Sequence, residues 1–299
     1  MRYKHLNEYL KEMFGERTLK ICIDAGFTCP NRDGTCGYGG CIFCSEKGSG
    51  DHLKPLPINL QIENYFNSYR SKRANKFISY FQNFTNTYAA LDELKDKYDS
   101  ALSNSKIVGL EIATRPDCIN EDVAKLISSY AKNYYVCVEL GLQTSSDITA
   151  KEINRGYTSS IFTKAINILR KYQINVVTHI MVGLPNEDFQ SVKDTIEFLN
   201  SHDIQGIKIH STYVVKNTKL DALYQKGLYE PITYDFYMNC LEYIITHISP
   251  NVIVHRVSGD PPKELLVAPE WTLHKKKVLN GLDKIMKEKD LYQGMYYNK

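Results

Sequence analysis

The sequence predicts an α/β fold built on a parallel sheet, and two patterns lead to this prediction. Short apolar runs rich in β-branched residues recur along the chain, as expected of buried parallel strands. Segments of helical periodicity lie between several of them. Alternation repeated six or seven times predicts a sheet that is open or closed into a barrel, and the number of strands favours a barrel, complete or incomplete. The runs span residues 19–25, 77–82, 107–113, 135–142, 175–182, 206–215 and 252–257.

Three helices between these strands are marked by a capping residue and by apolar periodicity. Asn120 is placed to cap a helix whose apolar face starts at Val123. Ser159 or Ser160 precedes a second helix, and a third is expected to start near Asn186. Each helix follows a strand, which is the order that a parallel sheet with crossover helices requires.

Length and charge set broad limits. A chain of 299 residues with 43% hydrophobic content can bury the core of one large α/β domain or of two ordinary ones. The net charge of +3 neither requires nor excludes a polyanionic partner. The sequence contains no apolar run of the roughly 18 residues that a bilayer demands, and its charged N-terminal region lacks a secretory signal. A cytoplasmic protein without membrane association is expected.

The most informative segment is CPNRDGTCGYGGCIFC, residues 29–44, which holds four of the eight cysteines. A reducing compartment disfavours structural disulfides, so metal binding or catalysis is indicated. Cys41 and Cys44 are separated by two residues, and the turn between them brings both sulfurs to one side. Cys29 and Cys36 offer further ligands. A closed four-thiolate zinc site and a three-thiolate iron–sulfur cluster with one open iron both fit, and the cysteines alone do not separate them.

Polar side chains stand where the predicted strands end. The cysteine segment follows the first strand, Glu111 and Arg115 belong to the end of the third, and Gln143 belongs to the end of the fourth. In parallel α/β folds the chemistry occurs at the carboxyl ends of the strands. The sequence therefore predicts one site that gathers these loops.

A loop after the first strand that ends in Cys-x-Phe-Cys resembles the cluster loop of the radical S-adenosylmethionine (SAM) superfamily. In that superfamily three cysteines hold a [4Fe-4S] cluster, and SAM chelates the open iron. The segments CPNRDGT, GGCIFC and YFQNFTNTYA are similar to a small bacterial family related to the elongator catalytic subunit, and the resemblance covers most of the chain. The cysteine spacing departs from the common C-x3-C-x2-C, and expanded spacing is typical of the elongator-related group.

This resemblance implies a partial (β/α)6 TIM-like barrel of the radical SAM type with a short C-terminal extension. We expect residues 1–257 to form the barrel, with an N-terminal helix and a cluster loop at 26–52, and residues 258–299 to pack on it. The implied cluster ligands are Cys29, Cys41 and Cys44. Cys36 is then a spectator, because a fourth thiolate would close the iron that SAM has to reach.

Likeness to oxygen-independent coproporphyrinogen oxidase implies three contacts with SAM. Glu111 would take the amino group, Gln143 the ribose and Arg155 the carboxylate. A bidentate arginine is well suited to a carboxylate, and a glutamate to an ammonium group. An ordinary ion pair between Glu111 and Arg155 is the structural alternative.

The segment HIMVGLPNE resembles the adenine-binding turn of the superfamily, and Phe43 is expected near the adenine. His179 stands where a relative has an aspartate that contacts the ribose. Asn86 and Thr87 occupy the place where relatives bind the amino group through a glycine-rich turn. The complete predicted SAM-binding set is Phe43, Asn86, Thr87, Glu111, Gln143, Arg155, His179, Met181 and Gly183.

The resemblance implies reductive cleavage of SAM to a 5'-deoxyadenosyl radical, with flavodoxin or ferredoxin as the reductant. It also suggests tRNA as the substrate, with the carboxymethylaminomethyl group of the wobble uridine converted to aminomethyl. Basic residues expected to face RNA phosphates include Arg115, Lys208, Lys216, Lys219, His210, His255, Arg256 and Lys275 to Lys277. The alternatives are a radical SAM enzyme acting on a small metabolite or protein, a zinc-stabilised RNA-binding module, and an electron carrier.

Overall fold

The computed structural model describes residues 2–48, 50, 53 and 55–298. Seven parallel strands form one sheet that curls into a half-barrel with helices on its outer face, which confirms the predicted partial barrel. The seventh apolar run adds a strand beyond the six of the predicted (β/α)6 unit. The predicted cluster loop and domain limits include residues 1, 49, 51, 52, 54 and 299, which lie outside the described residues.

The strands pair in the spatial order β1-β2-β3-β4-β5-β6-β8, and every pair in this sheet is parallel. A separate antiparallel pair joins β7 to β9. The strands are β1 (Thr18–Ile23), β2 (Lys76–Phe81), β3 (Ile107–Thr114), β4 (Tyr135–Gln143), β5 (Asn175–Val182), β6 (Gly206–Ser211), β7 (Val214–Val215), β8 (Ile253–Arg256) and β9 (Leu266–Ala268).

Helices follow most strands and cover the convex face of the sheet. They are α1 (Leu6–Phe14), α2 (Ile58–Phe66), α3 (Leu91–Ala101), α4 (Glu121–Tyr130), α5 (Asp147–Glu152), α6 (Ser159–Lys171), α7 (Phe189–Asn200), α8 (Lys219–Gln225), α9 (Tyr234–His247) and α10 (Lys275–Glu288). No helix in the described part of the chain combines the length and apolar character needed to cross a membrane.

Alternation along the strands separates the core from the barrel interior. In β3, Leu110 and Ile112 belong to the main apolar core together with Val123 and Ile127 of α4. Glu111, between those two strand residues, is completely buried on the other face. Because successive side chains of a strand point to opposite faces, the same strand supplies the apolar core outside and polar groups inside.

The predicted helix starts are correct to within a few residues. The side chain of Asn120 accepts a hydrogen bond from the Val123 N–H, as predicted. The second helix begins at Ser159, where Thr158 is the N-cap residue. The third begins at Phe189 rather than near Asn186, because Asn186 has φ of 59° and cannot continue a helix, and Asp188 supplies the cap.

Residues beyond β8 contact the barrel through a strand and a helix. β9 pairs with β7, and α10 packs against α9. The Gln293 side chain donates to the Ser249 and Val252 carbonyls at 2.9 and 2.7 Å. These contacts support the proposal that residues 258–299 form an extension packed on the barrel.

The capping box of α7 gives a stability prediction. The Asp188 carboxylate accepts from the Ser191 N–H at 2.9 Å, and Ser191 Oγ lies 3.2 Å from the Asp188 N–H. Asp188→Ala should lower the free energy of unfolding by about 1 kcal/mol because it leaves helix N–H groups unsatisfied. Urea unfolding followed by circular dichroism measures the change. Asp194→Ala removes an exposed acid from the same helix and is the control; an equal loss in both variants would contradict the capping role.

Candidate active site

The predicted cluster loop follows β1 at the carboxyl edge of the sheet, beside a central cavity. Cys29, Cys41 and Cys44 line this cavity. Cys36 is exposed and is not among the described residues that line it. The Cys44 N–H donates to the Cys41 carbonyl at 3.0 Å, which closes the turn of the C-x2-C pair. The loop thus directs three thiols to one cavity and leaves the fourth outside.

Asn31 fixes the loop beside Cys41. Its Nδ2 donates to the Asn154 carbonyl at 2.6 Å and lies 3.9 Å from Cys41 Sγ, within hydrogen-bond range for sulfur. A Cβ at Gly37 would lie 2.4 Å from Asn31 Oδ1, so a glycine is needed there. Hydrogen bonds to ligand sulfurs tune the potential of iron–sulfur clusters. Asn31 therefore has a functional position that the sequence reasoning missed.

The rest of the loop is anchored by Arg32 and Ile42. Arg32 donates to the Cys44 carbonyl at 3.2 Å. The Ile42 N–H donates to the Ile153 carbonyl at 3.0 Å, and the Ile42 carbonyl accepts from the Leu220 N–H at 2.9 Å. These main-chain bonds tie the loop to the segment after α5 and to α8, so the thiols are positioned by elements on two sides of the cavity.

The position of Cys36 bears on the two chemistries that the spacing left open. A closed four-thiolate zinc site needs Cys36 beside the other three thiols. Cys29, Cys41 and Cys44 line the cavity, whereas Cys36 is exposed and is not among the described residues that line it. This arrangement favours three thiolate ligands and an iron–sulfur cluster with one open iron, and the ligand set stays a prediction.

The three thiols also influence one another electrostatically. Burial and then the neighbouring Cys44 and Cys29 raise the pKa of Cys41 to about 12, although Arg115 opposes the rise. Several thiolates gathered in a buried place are stable only with cations between them. A cluster supplies those cations and displaces the thiol protons as it binds.

The central cavity has a volume of about 280 Å³ and opens at the carboxyl ends of the strands. Its polar wall combines residues of the cluster loop, of β2, β3, β4, β5, β6 and β8, and of the segments after β2, β3, α5 and β6. The charged and polar side chains that line it include Arg32, Tyr80, Gln82, Thr85, Thr114, Arg115, Glu139, Gln143, Tyr157, His179, Lys208, His210, Ser211, Tyr213 and Arg256.

Four of the predicted SAM-binding residues line the cavity, namely Phe43, Gln143, His179 and Met181. Phe43 and Met181 pack on the same apolar cluster and line the cavity, so both offer apolar surface to a ligand. Gln143 ends β4 with φ of 62°, at the point where the register with β5 shifts. The structure thus brings these four side chains to one cavity, and their individual contacts with SAM stay predictions.

Glu111 and Arg155 are not brought into the cavity lining described by the structure. Glu111 Oε2 is paired with Lys20 below the cavity. Arg155 is completely buried and donates to the Thr144 and Tyr157 carbonyls at 2.7 and 2.9 Å. The two side chains do not form the ion pair considered as their structural alternative. Contacts with the amino and carboxylate groups of SAM stay predictions and require these side chains to exchange partners.

Asn86, Thr87 and Gly183 lie behind the cavity wall. Asn86 Nδ2 donates to the Ala113 carbonyl at 2.7 Å, and Thr87 Oγ1 lies 2.6 Å from Thr114 Oγ1. Gly183 has φ of +88°, and its carbonyl accepts from the Tyr229 hydroxyl. These residues shape the main chain around the cavity, while the direct polar lining beside Asn86 is supplied by Gln82 and Thr85.

A buried network of charges forms the floor of the cavity. Glu139 of β4 accepts from Lys208 of β6 at 2.6 Å, lies 2.8 Å from His179 Nε2 of β5 and lies 3.5 Å from Lys20 Nζ of β1. Lys20 also pairs with Glu111 of β3. The network therefore connects five strands across the inside of the half-barrel.

The pKa shifts show which groups in this network are stabilised in their charged form. Burial alone would raise the pKa of Glu139, but Lys208, Lys20 and His179 outweigh it and hold that pKa well below its usual range. Burial raises the pKa of Glu111 to about 7, and Lys20 opposes this rise only in part. Burial lowers the pKa of Lys208 to about 8 in spite of Glu139. Glu139 is thus the fixed negative charge around which the cations are arranged.

The interior position of several basic residues corrects the expectation that they face RNA phosphates. Lys208 is buried. A ring nitrogen of His255 lies within 4.8 Å of carboxylate oxygens of the buried Glu111 and Glu139. Arg115 lines the cavity and makes a bidentate pair with Asp117 at 2.7 and 2.9 Å. The alternation of β6, with Lys208 and His210 two positions apart, is the sequence signal that could have indicated their shared interior face.

Comparison with known proteins identifies the family. The description "Radical SAM superfamily" matches residues 29–199, more than half of the chain. The chain belongs to the radical SAM superfamily. The description "Radical_SAM C-terminal domain" matches residues 204–288. The match to the superfamily begins at Cys29, the first of the three cavity thiols.

Relatives of this radical SAM protein extend along nearly its whole length. YtqA of Bacillus subtilis is 40% identical over 301 residues, which covers 100% of this chain and 94% of the relative. YhcC of Escherichia coli K12 is 34% identical, with 93% and 90% covered. Elongator complex protein 3 of Drosophila melanogaster is 29% identical over 173 residues, 56% of this chain and 30% of that protein.

Solved structures confirm the fold. The archaeal Elp3 of Methanocaldococcus infernus, with an N-terminal deletion, superposes with a TM-score of 0.69 at 17% identity and covers 92% of this chain and 64% of its own. SuiB of Streptococcus suis bound to S-adenosylmethionine gives a TM-score of 0.53 at 12% identity, with 84% and 53% covered. At these identities the likeness concerns the half-barrel.

Membership of the superfamily implies a [4Fe-4S] cluster and SAM as cofactors, and the protein is accordingly an iron–sulfur, SAM-dependent enzyme. The donor set fits both groups. Cys29, Cys41 and Cys44 line the same cavity as Phe43 and Met181, so thiols for a cluster and apolar side chains for an adenine occur together.

Cysteine variants test the cluster ligands. Cys29→Ala, Cys41→Ala and Cys44→Ala should each lose most bound iron and sulfide after anaerobic reconstitution, because each removes one corner of the site. Cys36→Ala is the matched control and should retain both at the level of the unaltered protein. Iron and sulfide analysis with electron paramagnetic resonance of the reduced protein gives the readout. Loss of iron from Cys36→Ala would show that Cys36 is a ligand.

The buried network gives a second prediction. Glu139→Gln should lower the free energy of unfolding by about 3 kcal/mol or more, because it leaves buried Lys208 without its anion. Glu121→Gln, which breaks a pair with Lys171 at 2.9 Å on the surface, is the control and should change stability little. Thermal and urea unfolding of both variants measure the difference. Equal changes in the free energy of unfolding in both variants would contradict a stabilising role of the Glu139–Lys208 pair.

Proposed function

We propose that this enzyme removes the carboxymethyl part of the carboxymethylaminomethyl group at carbon 5 of the tRNA wobble uridine and leaves an aminomethyl group. Two observations support the proposal. The chain is similar to elongator complex protein 3 in sequence and to an archaeal Elp3 in fold. The resemblance to the elongator-related group implies the wobble uridine of tRNA as the target. The charge of the cavity agrees with a side chain that ends in a carboxylate.

The charge balance of the cavity carries the choice of substrate group. Its described lining contains four cations, Arg32, Arg115, Lys208 and Arg256, and a single carboxylate, Glu139. Lys208 already neutralises Glu139. Arg115 is paired with Asp117, which leaves Arg32 and Arg256 as the surplus cations of the lining. This positive charge favours an anionic substrate group over a neutral or cationic one.

When bound, the cluster and SAM would supply a 5'-deoxyadenosyl radical that takes a hydrogen atom from the carbon between the nitrogen and the carboxylate. SAM would thereby act as the two-electron oxidant and end as methionine and 5'-deoxyadenosine. Water would complete the cleavage of the carbon–nitrogen bond, so that the carboxymethyl part leaves as glyoxylate and the amine stays on the uridine. The chain's own residues bind and orient the cofactors and the substrate. In this proposal Cys29, Cys41 and Cys44 hold the cluster, while Phe43 and Met181 enclose the adenine.

Gln143 and His179 are proposed to contact the ribose of SAM, because both line the same cavity as Phe43 and Met181. Glu111 is proposed for the amino group and Arg155 for the carboxylate, after their present hydrogen bonds are exchanged. Asn86 and Thr87 are proposed to position the turn next to the amino group.

The tRNA backbone is proposed to contact exposed lysines outside the cavity. Lys216 and Lys219 are exposed, and Lys219 Nζ lies 3.0 Å from the place where a Cβ of Gly39 would be, so it stands over the cluster loop. Tyr38 of the same loop is 76% exposed and offers a ring for base stacking.

A flavodoxin or ferredoxin is proposed as the reductant, and the cytoplasm as the location.

The proposed reaction has a direct test. Purified, reconstituted enzyme with SAM and a low-potential reductant should convert carboxymethylaminomethyluridine in tRNA to aminomethyluridine, and cells lacking the gene should accumulate the carboxymethylaminomethyl form. Nucleoside mass spectrometry measures both. Cys41→Ala should be inactive and Cys36→Ala active. If deletion leaves the wobble nucleosides unchanged and the active holoenzyme cleaves SAM without altering tRNA, the substrate is a different molecule.

A further inference from the structure

The side of the cavity formed by β6 and β8 carries polar groups that lack partners. We name Lys208, His210, Ser211 and Arg256 the β6–β8 subsite; all four line the cavity. Lys208 and Arg256 are register partners on the two adjacent strands. His210 Nε2 and Ser211 Oγ are buried and have no hydrogen-bond partner among the described residues. Buried polar atoms are nearly always satisfied, so these two indicate a place for a ligand.

The guanidinium N–H groups of Arg256 are available for hydrogen bonds with a ligand. Its ionic partner within residues 55–298 is Asp260, at 3.6 Å, beyond hydrogen-bond distance. The Asp260 carboxylate is already held by Lys275 Nζ at 2.9 and 3.1 Å. About a third of the Arg256 side chain, 32%, stays accessible. The planar guanidinium therefore offers its fork to the cavity.

The other cation of the subsite serves a different purpose. Lys208 Nζ donates to Glu139 at 2.6 Å and to the Tyr80 hydroxyl at 3.2 Å, so its hydrogen bonds are largely used within the protein. Burial first, and then the charges of His179 and Arg256, hold the pKa of His210 well below its usual range, so its ring is neutral. Arg256 is thus the charge that acts on a ligand, and His210 and Ser211 add neutral hydrogen bonds.

Different arginines lie at the two ends of the cavity. A Cβ at Gly156 would lie 3.1 Å from Asn31 Oδ1 and 3.3 Å from Arg115 Nη2, so Arg115 lies beside the cluster loop. Arg256 lies on β8, in register with Lys208 of β6. SAM on a cluster at the first end would reach His179, whose ring centroid lies 5.3 Å from that of His210, so the subsite would begin next to the proposed ribose contact.

We propose that the β6–β8 subsite binds the carboxylate at the tip of the substrate side chain, with Arg256 as its bidentate partner and Ser211 and His210 as neutral ones. This inference rests on the proposed function, because it takes the carboxymethylaminomethyl group as the substrate. A planar carboxylate matches the guanidinium fork. Phosphates of the RNA backbone remain outside, because the base and its side chain enter the cavity first.

The experiment compares an acid with its neutral amide. Reconstituted holoenzyme receives anticodon stem-loop RNA with carboxymethylaminomethyluridine or with the carbamoylmethylaminomethyl analogue at the wobble position. Arg256→Gln should lower kcat/KM for the acid about 10- to 100-fold, the value of a charge-assisted pair, mostly through KM. The amide should be affected less than about threefold, since it lacks the charge. Arg256→Lys, which keeps the charge and loses the fork, should lie between.

Matched controls separate the subsite from general damage. Arg70→Gln makes the same change at an exposed arginine before β2 and should match the unaltered enzyme with both RNAs. SAM affinity and the formation of 5'-deoxyadenosine without RNA should be unchanged in Arg256→Gln. Equal losses with acid and amide, or no loss with either, overturn the proposal. Weaker SAM binding also overturns it, because the bound carboxylate would then be that of SAM.

A binding measurement keeps the subsite testable if neither RNA is converted. That result refutes the proposed function alone. Calorimetric titration of the holoenzyme with N-methylglycine and with its amide then tests the carboxylate site directly. The acid should bind the unaltered protein and Arg70→Gln, and should bind Arg256→Gln at least about tenfold more weakly. Equal affinity of acid and amide, or equal binding to all three proteins, refutes the subsite.

Discussion

The buried pairing of Glu139 with Lys208, Lys20 and His179 is the constraint on which the interior of this half-barrel depends. The four side chains come from β4, β6, β1 and β5, so one carboxylate joins β4 to its neighbour β5 and also to β6 and β1, which do not pair with β4. Charges this deep are tolerated only in mutual contact, because an unpaired one would cost several kcal/mol. The network fills the space below the cavity, and the loops at the carboxyl ends of the strands are built above it.

Much of the fold could be predicted because the sheet is buried on both faces and the strands read as apolar runs. All seven runs contain strands, and the Asn120 cap formed as expected. Helix starts were less accurate where several small polar residues adjoin, since Thr158, Ser159 and Ser160 can all end an extended segment. Asn186 reads as a cap but takes a left-handed conformation, which only tertiary context decides.

The site was predictable where chemistry fixes the spacing along the chain. The Cys41–Cys44 pair and Cys29 reach one cavity because a turn and a loop are enough to gather them. Depth within the barrel could not be predicted in the same way. Glu111 precedes the cavity-lining Ala113 by two residues, which places it about 7 Å lower along the strand. The guanidinium of Arg155 donates hydrogen bonds to main-chain carbonyls, a role that no spacing pattern along the chain predicts.

The carboxylate oxygens of Glu139 are engaged by neighbouring side chains, and this limits the chemistry that the cavity permits. It is the one carboxylate among the described residues of the lining, and its oxygens are held by Lys208, His179 and Lys20. It is therefore a poor general base. A proton that a substrate loses or gains here would pass through an imidazole, a hydroxyl group or an amine of the described lining, or through solvent. A substrate above such a floor is held by charge and shape, and the described lining offers it no uncommitted carboxylate.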